Sequence, residues 1–230
     1  MLFHFVADYL KHRLTAKSRH GTHSPFVYKL VDEVIYDFSD KKVYENIEKS
    51  RKSLLDNHSS YPPRKISRLI YRLTTNHPAK KIVTLGTGSG ITTAYLSAAN
   101  PDASILSIEE SPEIAEIAYH NFSALGVPNI EIQVGNFDDL FVKEGEQLDL
   151  IYISGKHKKN ALLKYFGTCL TRAHEGTLLI LDNIYWSKEM KEAWSQIKAN
   201  KSVTVTIDLF WAGLVYFRKG QVKEDFKIKF

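Results

Sequence analysis

Three glycines at alternate positions form the strongest candidate for a binding site in this chain. Gly86, Gly88 and Gly90 stand in the stretch LGTGSG, between a short run of apolar and β-branched residues and a helical pattern. A residue without a Cβ lets a ligand approach the backbone closely, and the start of a helix offers N–H groups that lack helical partners. In an open α/β sheet, ligands bind at this edge, beyond the carboxyl ends of the strands. We therefore interpret 85–90 as a ligand-binding turn rather than as a tight connection alone.

The spacing of these glycines separates the candidate ligands. A dinucleotide-binding loop has the pattern G-x-G-x-x-G, and here Ile91 stands where its third glycine would be. A Walker-type phosphate loop ends in Lys followed by Ser or Thr, and no such pair follows the glycines. Glu109 ends the next predicted strand, 23 residues after Gly86, and its carboxylate can accept from both hydroxyls of a ribose. The alternative for Glu109 is a solvated carboxylate at a strand end, and the glycine loop favours the ribose.

A further candidate follows the third predicted strand. Asn136, in the sequence Gly135-Asn136-Phe137, occupies the next ligand-facing position. Its amide can meet the edge of an adenine, on which Phe137 can stack. The alternative is that Asn136 is a turn residue, and the sequence leaves both interpretations open.

The elements that would position these residues alternate between strand and helix from about residue 80. The predicted strands are 81–85, 104–108, 130–134, 148–153 and 177–181, and the predicted helices are 92–99, 112–125, 158–170 and 188–198. This order predicts a parallel sheet with helices on both faces. Two further strands, 203–209 and 213–217, are too close for a crossover helix and must form an antiparallel hairpin. The fold class is therefore α/β, a doubly wound seven-stranded sheet of five parallel strands and a C-terminal hairpin.

Residues 1–75 differ from the rest of the chain in pattern and in charge: their apolar spacing predicts interrupted helices, and their net charge is positive. They hold fourteen Lys and Arg against eight Asp and Glu, while the whole chain has a net charge of +5. We predict a helical extension or lid over 1–75, packed on a Rossmann-like domain over 76–230. Basic charge can attract RNA or an anionic substrate, but these cations are scattered, so a solvated helical surface is favoured over nucleic-acid binding.

Composition and apolar patterning argue against several classes of protein: disulfide-rich, cysteine-zinc, membrane-spanning and secreted. The one cysteine, Cys169, can form neither a disulfide framework nor a cysteine-based zinc site. The chain has no run of about 18 apolar residues, which predicts that it does not span a membrane. Its start lacks the basic-then-apolar order of a signal peptide. We therefore expect a soluble cytoplasmic protein.

From about residue 80 to 220, the sequence resembles the class I S-adenosylmethionine-dependent methyltransferases. VTLGTGSG looks like their first motif, SIEESPE like the acidic second motif, and VGNFDD like the third, which contacts adenine. The stretches LDLIYISGKHKKNALLKYF and LLILDNIYW are most similar to the small-molecule O-methyltransferases of the catechol and caffeoyl-CoA type. HGTHSPFV and LDNIYWS also resemble a bacterial branch of that group. The resemblance implies S-adenosylmethionine as the cofactor and a seven-stranded sheet that ends in a hairpin.

The resemblance also assigns roles to individual residues. In this family a lysine is the general base, and His157 occupies its position here. The resemblance therefore implies that His157 accepts the proton, and that Asp182 and Asn183 orient the acceptor. A histidine can accept a proton at neutral pH, and the alternative for His157 is an exposed loop histidine. The residues implied for cofactor binding are Gly86, Thr87, Gly88, Gly90, Thr92, Glu109, Asn136, Phe137 and Ser154.

The same group commonly holds a divalent cation, and here the sequence departs from its pattern. The family's ligands are an aspartate after the fourth strand and an Asp-Asn pair after the fifth. Asp182 and Asn183 match the pair, but Ser154 replaces the aspartate, and Lys156 adds a positive charge nearby. Because Mg²⁺ and Ca²⁺ prefer anionic oxygen ligands, we predict that the reaction needs no divalent metal.

Together these features predict methyl transfer from S-adenosylmethionine to a small-molecule acceptor, through an oxygen nucleophile. Two alternatives remain. One is methylation of RNA or protein, which the basic N-terminal third suggests. The other is a non-catalytic module that kept the cofactor site and lost the metal centre at Ser154. The sequence leaves a homodimer open.

Overall fold

A computed structural model describes residues 2–21, 23–54, 63–141, 145–155 and 157–230 of the chain. The described α-helices are α1 Leu2–Thr15, α2 Pro25–Leu30, α3 Lys42–Leu54, α4 Arg64–Thr75, α5 Ile91–Ala99, α6 Pro112–Leu125, α7 Phe137–Leu140, α8 Lys159–Arg172 and α9 Lys188–Ala199. The described strands are β1 Lys81–Leu85, β2 Ser104–Glu109, β3 Ile130–Val134, β4 Leu148–Ile153, β5 Ala173–Asp182, β6 Val205–Asp208, β7 Ala212–Tyr216 and β8 Glu224–Lys227. These residues include no helix that is long and apolar enough to cross a membrane.

The chain divides into two compact units, and residues 37–143 form the first of them. In this unit β1, β2 and β3 are parallel and follow the order β3-β2-β1. Leu85 at the end of β1 lies opposite Ile108, the residue before Glu109. The loop after β1 and the carboxylate at the end of β2 are therefore neighbours because of the strand register alone.

The helices of the first unit share an aromatic core. Its buried members come from α3, α5 and α6, and they are Tyr44, Ile47, Ile91, Ala94, Tyr95, Ala118 and Phe122. Tyr95 Oη donates to Glu48 Oε1 at 3.0 Å, and Glu48 also pairs with Arg51 of α3 and Arg64 of α4. Both apolar packing and this partly buried ion-pair network therefore hold α3 and α4 on α5.

Residues 1–36 and 144–230 form the second unit. Here β4 and β5 are parallel, β7 is antiparallel to β5, and β6 is antiparallel to β7. The order is β4-β5-β7-β6-β8, with β8 parallel to β6. Asp182 at the end of β5 lies opposite Ala212 at the start of β7, and Asp208 at the end of β6 lies opposite Gly213. The end of β5 and the turn between β6 and β7 thus lie at one edge of this group of strands.

Helix α1 packs on that turn. Phe5 and Tyr9 make ring contacts with Phe210, with centroids 5.1 and 5.0 Å apart. Lys17, just after α1, forms a parallel bridge with Ile228 near the end of the chain. The N-terminal helix therefore belongs structurally with the C-terminal strands.

The predicted α/β class is confirmed, including the C-terminal hairpin of β6 and β7. The strands β1, β3 and β4 have the predicted bounds. The described strands number eight rather than seven, because β8 joins the sheet beside β6. Its sequence, EDFK, is mostly charged, so the apolar pattern that marks the other strands is missing. The predicted division into 1–75 and 76–230 stays a prediction.

Candidate functional site

The glycine loop connects β1 to α5, and its glycines have different structural roles. Gly86, Gly88 and Gly90 have φ values of +87°, +54° and +82°, a region in which residues with a Cβ are strained. A Cβ on Gly90 would lie 2.5 Å from Phe122 Cε1, so this glycine allows α6 to approach the loop. A Cβ on Gly88 would meet nothing within 4 Å. Gly88 therefore leaves open space above the backbone, which a ligand can occupy.

Glu109 lies beside this loop, as its position in the sequence predicts, and fixes it. Glu109 Oε2 accepts a hydrogen bond from the Gly88 N–H at 2.9 Å. Its Oε1 accepts from the N–H groups of Glu110 and Ser111 at 3.0 and 3.2 Å. The residue is 8% exposed. Because each carboxylate oxygen can accept more than one hydrogen bond, Glu109 can hold the loop and also accept from a ligand hydroxyl.

Two further side chains that the sequence analysis missed also hold the loop. The hydroxyls of Thr84 and Thr87 both lie 2.7 Å from Ser107 Oγ, in a buried cluster. Asn121 Nδ2 donates to the carbonyl of Ser89 at 2.8 Å. The sequence did carry a signal for Ser107, because it is a polar residue between the apolar Leu106 and Ile108 in the middle of β2. The hydroxyl of Thr87 is thus engaged inside the protein, so a ligand contact by Thr87 would use its backbone.

The remaining predicted cofactor residues of this unit take different positions. Thr92 is buried in the first turn of α5. Asn136 caps α7, because its Oδ1 accepts from the Asp138 N–H at 2.7 Å. Phe137 is 5% exposed. The cap agrees with the interpretation of Asn136 as a turn residue, and the predicted adenine contacts of Asn136 and Phe137 stay predictions.

In the second unit, the loop after β4 folds back on itself. Strand β4 ends at Ile153, as predicted, and the carbonyl of Ser154 accepts from His157 Nε2 at 2.8 Å. The imidazole also makes an edge-on contact with Tyr165, at 5.5 Å between centroids. His157 is therefore half-buried and fixed on both sides. Lys156, which the metal argument invokes, lies outside the described residues.

Asp182 is a buried acid at the end of β5, and only 4% of it is exposed. Its Oδ1 accepts from the Asn183 N–H at 2.9 Å, and its Oδ2 accepts from Tyr152 Oη at 3.3 Å. Burial raises the pKa of Asp182 to about 6, despite these two donors. Asn183 has a φ of +56°, which asparagine tolerates better than most residues. Asp182 can therefore change its charge close to neutral pH.

The side chains at this edge fit a divalent cation poorly. Both oxygens of Asp182 already accept hydrogen bonds, and Ser154 offers a neutral hydroxyl in place of a carboxylate. Within the described part of the chain, no three His, Cys, Asp or Glu side chains are grouped so that they could hold a metal ion. A hard cation needs several anionic oxygens to replace its water ligands. The absence of a metal requirement stays a prediction.

A second buried acid at the same edge was also missed by the sequence analysis. Asp208, at the end of β6, is 2% exposed and accepts from Tyr185 Oη at 2.8 Å. It also accepts from Trp194 Nε1 at 3.2 Å and pairs with His12 Nε2 at 3.0 Å. A signal was present, since an aspartate interrupts the apolar sequence around VTVTIDLF. His12 and Asp208 are 196 residues apart in the chain, so local sequence patterns could not identify this contact.

Comparison with known proteins supports the family suggested by the motifs. Residues 83–184 match the family described as Methyltransferase domain. This stretch contains the glycine loop, Glu109 and the Asp182–Asn183 pair, so the match includes the motifs on which the resemblance depends. The O-methyltransferase imqG of Aspergillus flavus is 31% identical over 150 residues. That match spans 62% of this chain and 60% of the length of the fungal protein.

Solved structures show the same fold. The O-methyltransferase TomG of Streptomyces achromogenes, in complex with S-adenosylmethionine, has a TM-score of 0.64 at 17% identity, over 84% of this chain and 95% of that protein. The O-methyltransferase of Bacillus cereus, in complex with S-adenosylhomocysteine, has a TM-score of 0.61 at 19% identity, over 79% and 93%. At these identities the likeness establishes the fold, and function has to be argued from the site.

Proposed function

We propose that this chain is an S-adenosylmethionine-dependent methyltransferase that acts on an oxygen atom of a small molecule. The observation that carries the proposal is the open space above Gly88 beside the buried carboxylate of Glu109, within the stretch that matches the methyltransferase family. A nucleoside ligand needs both features, because its ribose hydroxyls need an acceptor and its neighbouring atoms must approach the backbone closely.

For the cofactor, we assign the ribose hydroxyls to Glu109 and the close backbone approach to Gly88. Thr87 would contribute its backbone, because its hydroxyl is bonded to Ser107. Asn136 would offer Nδ2 to the adenine edge, since its Oδ1 caps α7. Gly86, Gly90, Thr92, Phe137 and Ser154 stay predicted contacts.

For the acceptor, we assign orientation to Asp182 and Asn183 and proton acceptance to His157. Bound S-adenosylmethionine supplies a methyl group that is already activated by its sulfonium, so the protein mainly has to orient the nucleophile. The carbonyl of Ser154 can only accept, so His157 Nε2 carries a proton, and Nδ1 is the nitrogen that takes one from the acceptor hydroxyl. Above pH 6 or so, Asp182 is ionised and can accept a hydrogen bond from the acceptor.

We do not extend the proposal to a nucleic-acid acceptor. Several N-terminal cations that could bind phosphates are engaged with acids of the same segment. Arg51 and Arg64 pair with Glu48, and Arg68 pairs with Asp40 at 3.3 Å. A paired cation attracts polyanions less strongly than a free one, because the carboxylate beside it offsets part of its charge. A cytoplasmic location and a homodimer stay predictions.

The proposal is tested first by calorimetric titration of the full chain with S-adenosylhomocysteine. We expect saturable binding with one site per chain. The same preparation is then incubated with methyl-labelled S-adenosylmethionine and a panel of phenols, catechols, aliphatic alcohols and carboxylic acids, and in a separate sample with RNA. We expect label to enter at least one of these acceptors, with the label on oxygen by mass spectrometry.

The two measurements separate the alternatives. A folded protein that shows no heat of binding would contradict the cofactor assignment. Binding without turnover on any acceptor would favour a cofactor-binding module over an enzyme. Transfer that occurs only to RNA and weakens steeply with salt would favour the nucleic-acid alternative.

A further inference from the structure

Two residues other than glycine have a left-handed backbone in the described part of the chain, and both lie at one edge of the second unit. They are Asn183, with a φ of +56°, and Phe210, with a φ of +71°. Asparagine tolerates this region, but a bulky aromatic residue in it is a clear outlier. Such strain persists only where the surroundings force it, and it clusters at functional sites. The edge that carries Asp182 therefore places a bulky aromatic residue in a conformation that glycine would adopt without strain.

The two strained residues are connected through the backbone. The Asn183 N–H donates to the carbonyl of Trp211 at 2.7 Å. The Phe210 N–H donates to Asp208 Oδ1 at 3.0 Å. The turn between β6 and β7 thus bonds on one side to the loop that follows Asp182, and on the other side to Asp208.

Asp208 is the centre of this arrangement. Burial alone would raise the pKa of Asp208, but the donors from His12, Tyr185 and the backbone outweigh it and lower the pKa below its ordinary value. The carboxylate is therefore charged at neutral pH. Tyr185, which donates to it at 2.8 Å, is two residues after Asn183 and stacks on Phe210 at 4.7 Å. Asp208 therefore reaches the Asp182–Asn183 loop by two routes, through Trp211 and through Tyr185.

His12 of α1 supplies a buried donor to Asp208 from a distant part of the chain. Its Nε2 lies 3.0 Å from Asp208 Oδ1 and 3.2 Å from the Asp208 carbonyl, and the residue is 2% exposed. Among the described residues, its Nδ1 is buried with no hydrogen-bond partner. A buried polar atom without a hydrogen-bond partner lowers the stability of the fold, so the imidazole of His12 has a cost in stability at this position. Departures of this kind are expected where function outweighs stability.

We propose that His12 is a positioning residue for the Asp182–Asn183 loop, which it holds in place through Asp208, the strained turn at Phe210 and Tyr185. The proposal rests on the proposed function, since it takes that loop as the part that orients the acceptor. His12 itself touches neither acceptor nor cofactor. Its imidazole packs against Tyr185 and Phe210, with ring centroids 5.9 and 5.6 Å away. Loss of the imidazole therefore removes a hydrogen-bond donor from Asp208 and a packing partner from both rings.

The test compares His12→Leu, which removes the donor, with His12→Gln, whose amide can still donate to Asp208. Transfer is measured on the acceptor that the panel identifies. We expect His12→Leu to lower kcat about 10- to 100-fold with little change in the KM for S-adenosylmethionine, because a misplaced acceptor reacts slowly. His12→Gln is expected to restore most of kcat. Leu14→Ala is the control, since Leu14 lies on the same helix and is 86% exposed.

Amide hydrogen exchange of the full chain gives a readout that needs no acceptor. In His12→Leu we expect about tenfold faster exchange in peptides covering 182–187 and 208–212, with wild-type exchange in β4 and the rest of β5, because local opening is distinct from global unfolding. Wild-type kcat in His12→Leu, or unchanged exchange in 182–187, would overturn the proposal. An even rise over all of 145–230 would also overturn it, since His12 would then stabilise the unit as a whole. A wild type without cofactor binding or turnover would contradict the proposed function instead, and exchange alone would then decide the role of His12.

Discussion

The turns after β1 and β6 both need left-handed residues, and they meet this need differently. After β1 the left-handed residues are glycines, with φ values from +54° to +87°. After β6 the left-handed residue is Phe210, a buried aromatic. For a residue with a Cβ, this conformation costs about 1–2 kcal/mol. The first turn leaves its backbone open above Gly88, whereas the second places a ring against Tyr9 and Tyr185. The turn after β1 exposes its backbone and has unstrained glycines, whereas the turn after β6 places an aromatic side chain and has a strained backbone.

A buried carboxylate at the end of a strand holds each turn. Glu109 accepts from the Gly88 N–H at 2.9 Å, and Asp208 accepts from the Phe210 N–H at 3.0 Å. Glu109 also accepts from the backbone N–H groups of the two residues that follow it, whereas Asp208 also receives side-chain donors from α1 and α9. The glycine loop is therefore fixed mainly by local contacts, and the turn at Phe210 depends on distant helices.

The largest effect is expected from Gly88→Val. The side chain would enter the open space above the loop, and the left-handed backbone would be strained. We expect loss of measurable S-adenosylhomocysteine binding in calorimetry, with the cooperative unfolding transition retained.

Gly126→Val is the matched control for this change. Gly126 also has a left-handed φ, of +63°, and a Cβ there would also meet nothing within 4 Å. The backbone strain is therefore similar, but the site is the C-cap of α6. Equal loss of binding in both variants would show that strain, and not occupation of the ligand space, explains the result at Gly88.

The difference between the two turns also explains what the sequence can predict. The order of strands β1 to β7, the glycine loop and the position of Glu109 are local patterns, and the structure has them where the sequence predicts, although the short helix α7 was not predicted. The strand β8 and the contact of His12 with Asp208 depend on parts of the chain that are far apart in sequence. The burial of Asp182 against Tyr152 likewise arises from packing between neighbouring strands. Periodicity identifies the strands, but it does not identify which polar side chains meet across them.

Asp182→Asn tests whether the acceptor edge is maintained at the expense of stability. The pKa of Asp182 is raised from 3.8 to about 6, so the folded state holds the proton more tightly than the unfolded state. The contribution of Asp182 to stability is therefore greatest at low pH and falls as pH rises through this window. The shift of about two pKa units corresponds to about 3 kcal/mol, which is the most that Asn can restore above the window. We expect a higher free energy of unfolding and slower methyl transfer.

Denaturant titrations at about pH 8 and about pH 5 measure this effect. The stability gain of Asp182→Asn should be largest at the higher pH and should shrink at the lower pH, where Asp182 is already largely protonated. A gain that does not depend on pH would mean that the variant relieves something other than the buried charge.

Glu109→Ala tests the carboxylate of the first turn. The variant removes an acceptor for the Gly88 N–H and for the ribose hydroxyls. A hydrogen bond to a charged group contributes roughly 1.5–3 kcal/mol, so affinity for S-adenosylhomocysteine should fall about tenfold or more. Glu113→Ala is the control, because Glu113 is an exposed acid at the start of α6. An unchanged dissociation constant in Glu109→Ala would refute the ribose assignment.

The smallest effect is expected from removing divalent metal ions. The two units differ in their acids: Glu109 accepts from three backbone N–H groups, and Asp182 is buried, hydrogen-bonded and raised in pKa. Both carboxylates already accept hydrogen bonds from N–H or O–H groups, and Ser154 supplies no charge where the resemblance implies an aspartate. Methyl transfer should therefore be the same with and without EDTA.

Ser154→Asp, combined with Lys156→Asp, should create Mg²⁺ or Ca²⁺ binding that calorimetry detects in the presence of S-adenosylhomocysteine, because it adds anionic oxygens. Ordered Mg²⁺ on Asp182 and Asn183 in crystals of the wild type would refute this, and would mean that water replaces the missing carboxylate.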